Sequence, residues 1–493
     1  MEEEKVRVKV HKVLLESERQ ELKAKRIRKF LIGLLCVLFL VVGLVGGFTI
    51  AGVMRGTSVA AFKTNKLDKI TAYFDSIWLY KNDYEDLKQT MEDKAFYGMT
   101  DFEEDPYSSY LSKEEMELFA SSINNNYVGI GAQYSYANNT GTVTKVFKDS
   151  PAEKGGLLPG DIFYKVDGQL TEELDSDGIK ERIQGEEGTS VKVTVLRSGK
   201  EVELVFIRGA IRYTAYAEAI DDYVYLEIMS FGDSTSEECA RYLNDYKDYS
   251  KIIIDLRDNT GGYQGSVQGV AGLFIGPNKT VLNETDNTGK TVSYPTIVRE
   301  YFDNFKKIVV LTNANTASAA EVLSICLKEQ HKDTTLVGTT TFGKGVVQTS
   351  YSLDDGSAIK ITSSYWTSPN GVSINGEGVK PDYEVYLDDV LYENVYSFND
   401  EEKIFAIDSV SSYVRIAQLG LKYIDYELER TDGYFDQSFA EALNKYKVDN
   451  GLKDDEVLDN NTYEAIISSV VREYSVNKEK DLQLQKAIEL LSE

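Results

Sequence analysis

Histidine and cysteine are scarce in this chain of 493 residues, which has two histidines and three cysteines. The cysteines are scattered without metal-ligand spacing, which argues against a zinc site and a disulfide framework. His11 precedes a long apolar segment, and His331 lies in a polar stretch that predicts an exposed loop. Their positions argue against a Ser-His-Asp or Cys-His enzyme. If the chain performs nucleophilic catalysis, another residue must act as the base, and lysine is the usual substitute.

Positive charge is also scarce relative to negative charge. The sequence has 54 lysines and arginines against 80 aspartates and glutamates, for a net charge of −26. Proteins bind nucleic acid through clustered lysine and arginine, so we expect no nucleic-acid partner. Hydrophobic residues make up 42% of the chain, which favours folded domains with cores over a disordered polypeptide.

Residues 30–54 contain no charged side chain. At about 1.5 Å per residue, a helix of this length would extend roughly 37 Å, which is enough to cross a bilayer. Residues 1–29 hold ten positive and six negative side chains, with a basic cluster next to the apolar segment. We therefore predict a cytoplasmic tail at 1–29, a transmembrane helix at 30–54 and an extracytoplasmic remainder anchored in the cell membrane. A cleaved signal peptide is the alternative, but its apolar run would be shorter.

Hydrophobic periodicity divides the remainder into four regions. Residues 57–120 have helical spacing and would form either a stalk or a dimerisation arm, so a homodimer is compatible with the sequence. Residues 121–210 read mainly as strands, 211–395 alternate strands with helices, and 400–480 are helical. We predict a multidomain α/β and α+β protein with a transmembrane helix, a helical arm, a strand-rich domain, an α/β core and a C-terminal three-helix domain.

A serine follows a buried strand pattern at the predicted start of a helix. Ser318 would lie at the positive end of the helix dipole, and the N–H of Ala319 would point toward an oxygen that gains negative charge during acyl transfer. The same stretch has a second interpretation, because Ser318-x-x-Glu321 is a capping box. Serines that cap helices are far commoner than nucleophiles.

A lysine stands between two glycines in the run TFGKGVVQ at 341–348. The strand period of two would put Lys344, Val346 and Gln348 on one face. A lysine that acts as a base must be neutral, so its pKa must fall well below the usual ~10.4, and desolvation can supply that shift. Gln348 would then orient the amine without adding charge. A surface lysine on a turn is the other interpretation.

A glycine pair follows another buried strand pattern, in the run DLRDNTGG at 255–262. Gly261 and Gly262 would let the backbone turn sharply and aim N–H groups at a ligand. A simple turn is the commoner role of such a pair, so this run is informative only beside the other two.

The run SPAEKGGLLPGDIFYKVDG at 150–168 resembles the PDZ domain family along nearly its whole length. The resemblance implies a loop whose N–H groups receive the C-terminal carboxylate of a peptide, and a strand edge to which that peptide adds. The loop falls on Tyr127, Val128, Gly129, Ile130 and Gly131. A structural spacer without a ligand is the alternative.

The C-terminal region at 400–480 resembles a peptidoglycan-binding domain through Gln418, the run DGYF at 432–435 and Phe439. It departs from that family at 445–447, where a Lys-Tyr-Lys run replaces the usual Phe-Gln pair. The resemblance implies peptidoglycan as a partner. The alternative is a helical appendage that packs on the rest of the chain or on another subunit.

Taken together, these runs resemble the C-terminal processing peptidases, also called tail-specific serine proteases, over most of residues 57–395. The run DPYSSY at 105–110 belongs to the resemblance. It implies a bacterial serine endopeptidase that needs no cofactor and no metal and cleaves proteins with accessible C-terminal tails. The implied roles are nucleophile for Ser318, base for Lys344, an accompanying glutamine for Gln348, and oxyanion-hole N–H groups for Gly261 or Gly262 and for Ala319.

Two other functions are compatible with the same sequence. One is a catalytically silent PDZ scaffold that is tethered to the cell wall. The other is a cell-wall enzyme that acts on glycan or its cross-links.

Overall fold

The computed structural model describes residues 66–137, 139–393, 397–398 and 403–493. The predicted tail at 1–29 and transmembrane helix at 30–54 lie outside these ranges. Within them, no helix combines the length and apolarity that a bilayer crossing requires. The chain divides into two compact units, Met1–Glu92 and Asp93–Glu493.

The described part of the first unit is helical. Helix α1 spans Lys66–Ile77, a 3-10 turn spans Lys81–Asp83, and helix α2 spans Leu87–Thr100. Strand β1 (Ser109–Leu111) and helix α3 (Lys113–Ile123) follow. Ser112 begins α3 with a complete capping box, in which Glu115 is the partner. The region that was predicted to be helical therefore also contributes a strand.

A strand-rich domain follows, and its sheet has the order β3-β4-β5-β7-β8 with β6 on β5 and all pairs antiparallel. Alternate residues such as Val191, Val193 and Val195 face a core that also contains Phe163 and Ile179. A separate pair joins β2 to β9. The elements are β2 Asn126–Gly129, β3 Ala132–Ala137, β4 Thr140–Val146, α4 Pro151–Lys154, β5 Ile162–Val166, β6 Gln169–Leu170, α5 Ser176–Ile183, β7 Ser190–Arg197, β8 Lys200–Ile207 and β9 Gly209–Arg212.

An α/β core with two sheets follows. One sheet has the order β10-β11-β12-β15-β16-β19, and the other has the order β1-β18-β13-β14 with β17 on β18. The core therefore contains β1, which precedes the strand-rich domain in the sequence. Its further elements are β10 Ala215–Ile220, β11 Tyr223–Ile228, α6 Thr235–Asn244, β12 Lys251–Asp255, α7 Gln264–Ile275, β13 Thr280–Asp286, β14 Thr291–Pro295, β15 Lys307–Thr312, α8 Ala319–Gln330, β16 Thr334–Gly338, β17 Val346–Ser352, β18 Ala358–Thr367 and β19 Tyr383–Glu384.

The first sheet is covered on both faces, which explains why its central strands read as continuous apolar runs. Ile252 and Ile308 pack into the core cluster that includes residues of α6, α7 and α8. Ile253 and Val309, which point the other way, pack against Leu484 and Leu491 of the last helix. That helix, α12 (Leu482–Ser492), therefore completes the α/β core, although it is the last helix in the sequence.

The C-terminal domain consists of three helices that pack on each other around Phe439, Tyr446 and Tyr463. Each begins with a serine or aspartate whose side chain accepts a hydrogen bond from the first turn, as helix caps do. The predicted C-terminal helical domain is confirmed. These elements and the last helix are α9 Ser412–Tyr423, α10 Gln437–Asn450, α11 Asn460–Val476 and α12 Leu482–Ser492.

Candidate active site

Ser318 lies in the junction between the buried strand β15 and helix α8. The Thr316 hydroxyl donates to the carbonyl of Leu256 (2.8 Å), and the N–H of Ala317 donates to the carbonyl of Asn259 (2.9 Å). Ser318 itself has φ 54° and ψ −118°. This conformation costs a non-glycine residue about 1–3 kcal/mol and persists where the surroundings fix it, often at active sites. A strained strand-to-helix turn is also the device that exposes a nucleophilic serine in other hydrolases.

Ser318 and Glu321 have the arrangement of a capping box at the start of α8. The N–H of Ser318 donates to Oε2 of Glu321 (2.8 Å). The reciprocal approach of the Ser318 side chain to the first turn has the arrangement of a capping box without a capping hydrogen bond. The half-buried Ser318 hydroxyl therefore lies over the first turn of α8 without a capping hydrogen bond to it.

Glu321 lies between Ser318 and Lys344, although the sequence indicated it only as part of a cap. It is fully buried, and its carboxylate also accepts from the Thr341 hydroxyl (2.5 Å), the Gly343 N–H (2.7 Å) and the Lys344 N–H (2.9 Å). A buried carboxylate is tolerated when hydrogen bonds satisfy it. These bonds join the backbone of Ser318 to the backbone of Lys344. The Ser-x-x-Glu spacing indicated the contact of Glu321 with Ser318. It did not indicate the bonds from Thr341, Gly343 and Lys344.

Gly261 of the glycine pair lies directly against Ser318, and Gly262 lies against the backbone of Phe231. A Cβ atom at Gly261 would be 2.8 Å from the Ser318 Cβ, and one at Gly262 would be 2.4 Å from the carbonyl oxygen of Phe231. Both glycines have positive φ, at 107° and 144°. The N–H of Gly261 donates to Oδ1 of Asn259 (2.8 Å) and is therefore engaged. Within the described ranges, the N–H groups of Gly262 and Ala319 have no acceptor.

Lys344 lies in a loop two residues before β17, so strand periodicity does not place it as predicted. Its backbone is held by Glu321 and by the Trp366 indole, whose Nε1 donates to the Lys344 carbonyl (2.8 Å). Its half-buried Nζ lies 4.8 Å from the centre of the Tyr107 ring. In the part of the chain that the structure describes, no hydrogen bond joins this Nζ to the Ser318 Oγ.

The surroundings of Lys344 shift the protonation equilibrium of its amine toward the neutral form. Burial lowers the pKa of Lys344 below the ordinary lysine value, and the nearby charge of Lys360 lowers it further. Glu321 opposes these two effects. Among the described residues, no carboxylate forms an ion pair with the Lys344 amine. A desolvated lysine without an ion-pair partner is a chemically suitable proton acceptor.

Gln348 lies on β17 and bonds to a neighbouring strand. Its Nε2 donates to the Thr362 hydroxyl over 3.4 Å, and that hydroxyl donates to Oδ1 of Asp105 (2.9 Å). No hydrogen bond joins Gln348 to Lys344 among the described residues. Gln348 therefore does not orient the Lys344 amine through a hydrogen bond in the described structure, as had been predicted.

His331 is not in the exposed loop that was predicted. It is half-buried at the end of α8, with Nδ1 3.0 Å from the Thr334 hydroxyl and Nε2 3.2 Å from the Phe305 carbonyl. Burial lowers the pKa of His331. It ends the 12-residue helix that Ser318 begins, about 18 Å away along the axis. His331 is therefore a structural residue, remote from the serine.

The strand-rich domain contains a groove between β3 and α5. It encloses about 320 Å³ and is lined by Tyr127, Gly129, Ile130 and Gly131, together with α3 residues such as Ser121. Within the described ranges, the N–H groups of Ile130 and Gly131 have no acceptor. Burial raises the pKa of Tyr127 to about 12. The groove can therefore offer both backbone donors and an apolar lining to a peptide terminus.

Three family models match this chain. Peptidase family S41 matches residues 222–385, the PDZ domain matches 142–197, and a peptidoglycan binding domain matches 411–466. The carboxy-terminal processing protease CtpA of Bacillus subtilis is 31% identical over 446 residues, which cover 88% of this chain and 92% of that protein.

The chain belongs to the carboxy-terminal processing protease family. A probable CtpA-like serine protease of Staphylococcus haemolyticus is 29% identical and covers 92% of this chain and 90% of that protein. Among solved structures, the photosystem II D1 C-terminal processing protease is 22% identical, with a TM-score of 0.40, and covers 68% of this chain and 94% of that one. The prediction of a serine peptidase is confirmed.

In this carboxy-terminal processing protease, a buried ion network connects the glycine loop to the C-terminal helices. Arg257 follows β12, and its side chain is 11% exposed. Its guanidinium donates to Asp255 (2.6 Å) and to Asp481 and Gln483 near the start of α12 (3.0 and 3.2 Å). Although burial alone would raise it, Arg257 holds the pKa of Asp255 below its usual value. The sequence did not indicate this network, because Arg257 and Asp481 are 224 residues apart.

Proposed function

We propose that this protease is an endopeptidase with a Ser-Lys dyad, in which Ser318 is the nucleophile and Lys344 is the general base. The observation that carries the proposal is the Glu321 carboxylate, which fixes the backbones of both residues. The glycine loop lies against the same serine. The three motifs are thereby brought to one place, and the near-absence of histidine leaves a lysine as the available base.

In the proposed reaction, neutral Lys344 accepts the proton of the Ser318 hydroxyl while Oγ attacks the carbonyl carbon of the scissile peptide bond. The carbonyl oxygen becomes an oxyanion, and the N–H groups of Gly262 and Ala319 stabilise it. The protonated Lys344 then donates its proton to the leaving amine as the C–N bond breaks. In the second half of the reaction, Lys344 accepts a proton from water as the water oxygen attacks the acyl carbon. Lys344 then donates this proton to the Ser318 Oγ as the ester bond breaks, which releases the carboxylic acid product and restores both residues.

The PDZ groove supports a role in substrate capture. We propose that it takes the C-terminal tail of a protein substrate, with the carboxylate at the N–H groups of Ile130 and Gly131. A peptide with a free C-terminus should compete with protein substrate, whereas its C-terminal amide should not. Equal competition by both peptides would contradict carboxylate capture.

The apolar segment 30–54 and the basic residues before it support a single-pass membrane protein with its catalytic portion outside the cytoplasm. We expect protease added to bacterial protoplasts to degrade the chain beyond residue 54 and to spare an N-terminal epitope. Protection of the whole chain would contradict this location.

The C-terminal domain supports peptidoglycan as a further partner. The full chain with Ser318→Ala, which cannot digest itself, should sediment with purified cell wall. Failure to sediment would favour a purely structural role for this domain. Sedimentation velocity of the same variant tests the proposed homodimer, for which the expected species has twice the chain mass.

Cleavage of an unstructured protein tests the proposed chemistry. Ser318→Ala and Lys344→Met should lose at least about a thousandfold in kcat/KM. Ser324→Ala is a matched control, because this serine lies on the same helix and its hydroxyl donates to the Ala320 carbonyl (2.7 Å). Cleavage by Ser318→Ala at the parental rate would exclude the dyad, and no cleavage by any form would favour the silent scaffold.

A further inference from the structure

The segment before the PDZ domain is built into the active-site region. Strand β1 pairs antiparallel with β18, with Ser109 opposite Lys360. Asp105 accepts from the Thr362 hydroxyl (2.9 Å), and the N–H of Thr362 donates to the Ser108 hydroxyl (2.9 Å). These bonds flank Tyr107, whose N–H also donates to Asp105 (3.2 Å). The backbone of Tyr107 is therefore fixed on both sides.

The Tyr107 ring faces the amine that the proposed reaction requires. The Lys344 Nζ lies 4.8 Å from the ring centre, within the range at which a cation is attracted to an aromatic face. The other charged groups that act on this amine are Lys360 from β18, which disfavours its charge, and Glu321 from α8, which favours it. The ring adds an attraction for the ammonium form, which cannot act as a base.

We propose that Tyr107 is a positioning residue that holds the Lys344 ammonium against its ring in the substrate-free protease. Release from the ring then delivers the amine to Ser318. This inference rests on the proposed Ser-Lys dyad. The Glu321 carboxylate fixes the backbones of Ser318 and Lys344. Among the described residues, however, no hydrogen bond joins the Lys344 amine to the Ser318 hydroxyl. Retention of the amine at the Tyr107 ring accounts for that missing bond.

The course of the chain indicates how release can follow substrate binding. Tyr107 is followed directly by β1 and α3. Leu118, Ser121 and Ser122 of α3 line the PDZ groove. A peptide in the groove therefore contacts a helix that begins six residues after Tyr107. The same β18 residue, Thr362, bonds to Asp105 and to Gln348, so a shift of this segment also acts on the glutamine.

A pH profile of kcat/KM separates this role from simple packing. Tyr107→Phe keeps the ring, while Tyr107→Leu keeps an apolar side chain without a ring. The acid limb of the profile reports the pKa of the free enzyme's base, and loss of the ring attraction lowers that pKa. We expect Tyr107→Leu to move the acid limb to lower pH by about half a unit. The acid limb of Tyr107→Phe should coincide with that of the parent.

The other outcomes are equally decisive. An acid limb of Tyr107→Leu that coincides with the parent or moves upward would overturn the inference, and so would an equal shift in Tyr107→Phe. If Tyr107→Leu melts at a lower temperature, Tyr107→Met provides a second side chain without a ring. Lys344→Met, assayed in parallel, distinguishes the two proposals. If it remains active, the dyad itself is wrong; if it is inactive while the profile does not move, only the role of Tyr107 is wrong.

Discussion

Two lysines are withdrawn from solvent in different regions of this protease, and their surroundings differ. Lys447 in the C-terminal domain is fully buried, and its amine contacts the Asp455 carboxylate and the carbonyls of Asp455 and Val457. Lys344 in the α/β core is half-buried beside an aromatic ring and has no ion-pair partner among the described residues. A buried lysine whose amine is surrounded by acceptors has a structural role, whereas a desolvated lysine without them is a suitable proton acceptor.

The departure of the C-terminal domain from its family pattern lies in the interior of that domain. Tyr446 and Lys447 stand in the run where that family prefers Phe-Gln, and both are buried in the three-helix core. Tyr446 bonds through its hydroxyl to Ser469 (2.9 Å). The departure therefore changes the interior of the domain, and these two residues are not available to a glycan on its surface.

The strongest test of the comparison is Lys344→Met, which keeps the length of the side chain but removes the amine. Activity should fall by at least about a thousandfold, because the substitution removes the proposed base. The melting temperature at neutral pH should not fall, because a desolvated amine without an ion-pair partner contributes little to stability. A large loss of stability would mean that Lys344, like Lys447, is a structural residue.

Glu321→Gln should have the next largest effect. The amide keeps the shape of the side chain but replaces charge-assisted acceptors for the N–H groups of Ser318 and Lys344. We expect kcat to fall by about a hundredfold with a smaller change in KM, because the dyad residues are misplaced rather than removed. Steady-state kinetics at a temperature well below unfolding would show this split. An unchanged kcat would mean that the carboxylate only caps the helix.

Lys447→Met should show the opposite pattern to Lys344→Met. It removes a buried cation and leaves Asp455 with the exposed Lys453 as its remaining charged partner (2.9 Å). We expect a loss of about 1–3 kcal/mol in the free energy of unfolding, measured with urea. The kcat should equal that of the parent below the unfolding transition. A change in kcat without a change in stability would contradict the structural role of this lysine.

The smallest effect should be a pH dependence of stability. Lys344 has a lowered pKa in the folded state, so between that pKa and ~10.4 the unfolded chain binds more protons than the folded one. The stability of the parent should therefore rise with pH across this window, relative to Lys344→Met. Urea unfolding of both proteins at several alkaline pH values measures the difference. A difference that falls with pH would mean that Lys344 is stabilised as a cation.

Local patterns were sufficient to predict the α/β core, the C-terminal helical domain and the position of Ser318. The apolar runs of β12 and β15 indicated buried strands, and the change of period after Thr312 indicated the strand-to-helix junction. The run at 150–168 likewise predicted the PDZ domain that the family model matches. These features depend on contacts within a few residues, which a single sequence records directly.

Contacts between distant segments could not be predicted in this way. Tyr107 lies 237 residues before Lys344, and Arg257 lies 224 residues before Asp481. The engagement of the Gly261 N–H by Asn259 depends on a side-chain rotamer in a turn. Lys344 was expected on a strand, but Glu321 and the indole of Trp366 hold it in the preceding loop. Tertiary packing decides each of these positions.

The account depends most on the identity of the nucleophile, which covalent labelling tests directly. A fluorophosphonate modifies activated serine hydroxyls, and mass spectrometry of the digested protein locates the adduct. We predict modification of Ser318 in the parent and its loss, at equal folded fraction, in Lys344→Met. An adduct on another serine, or an equal yield on Ser318 without Lys344, would contradict the proposed dyad.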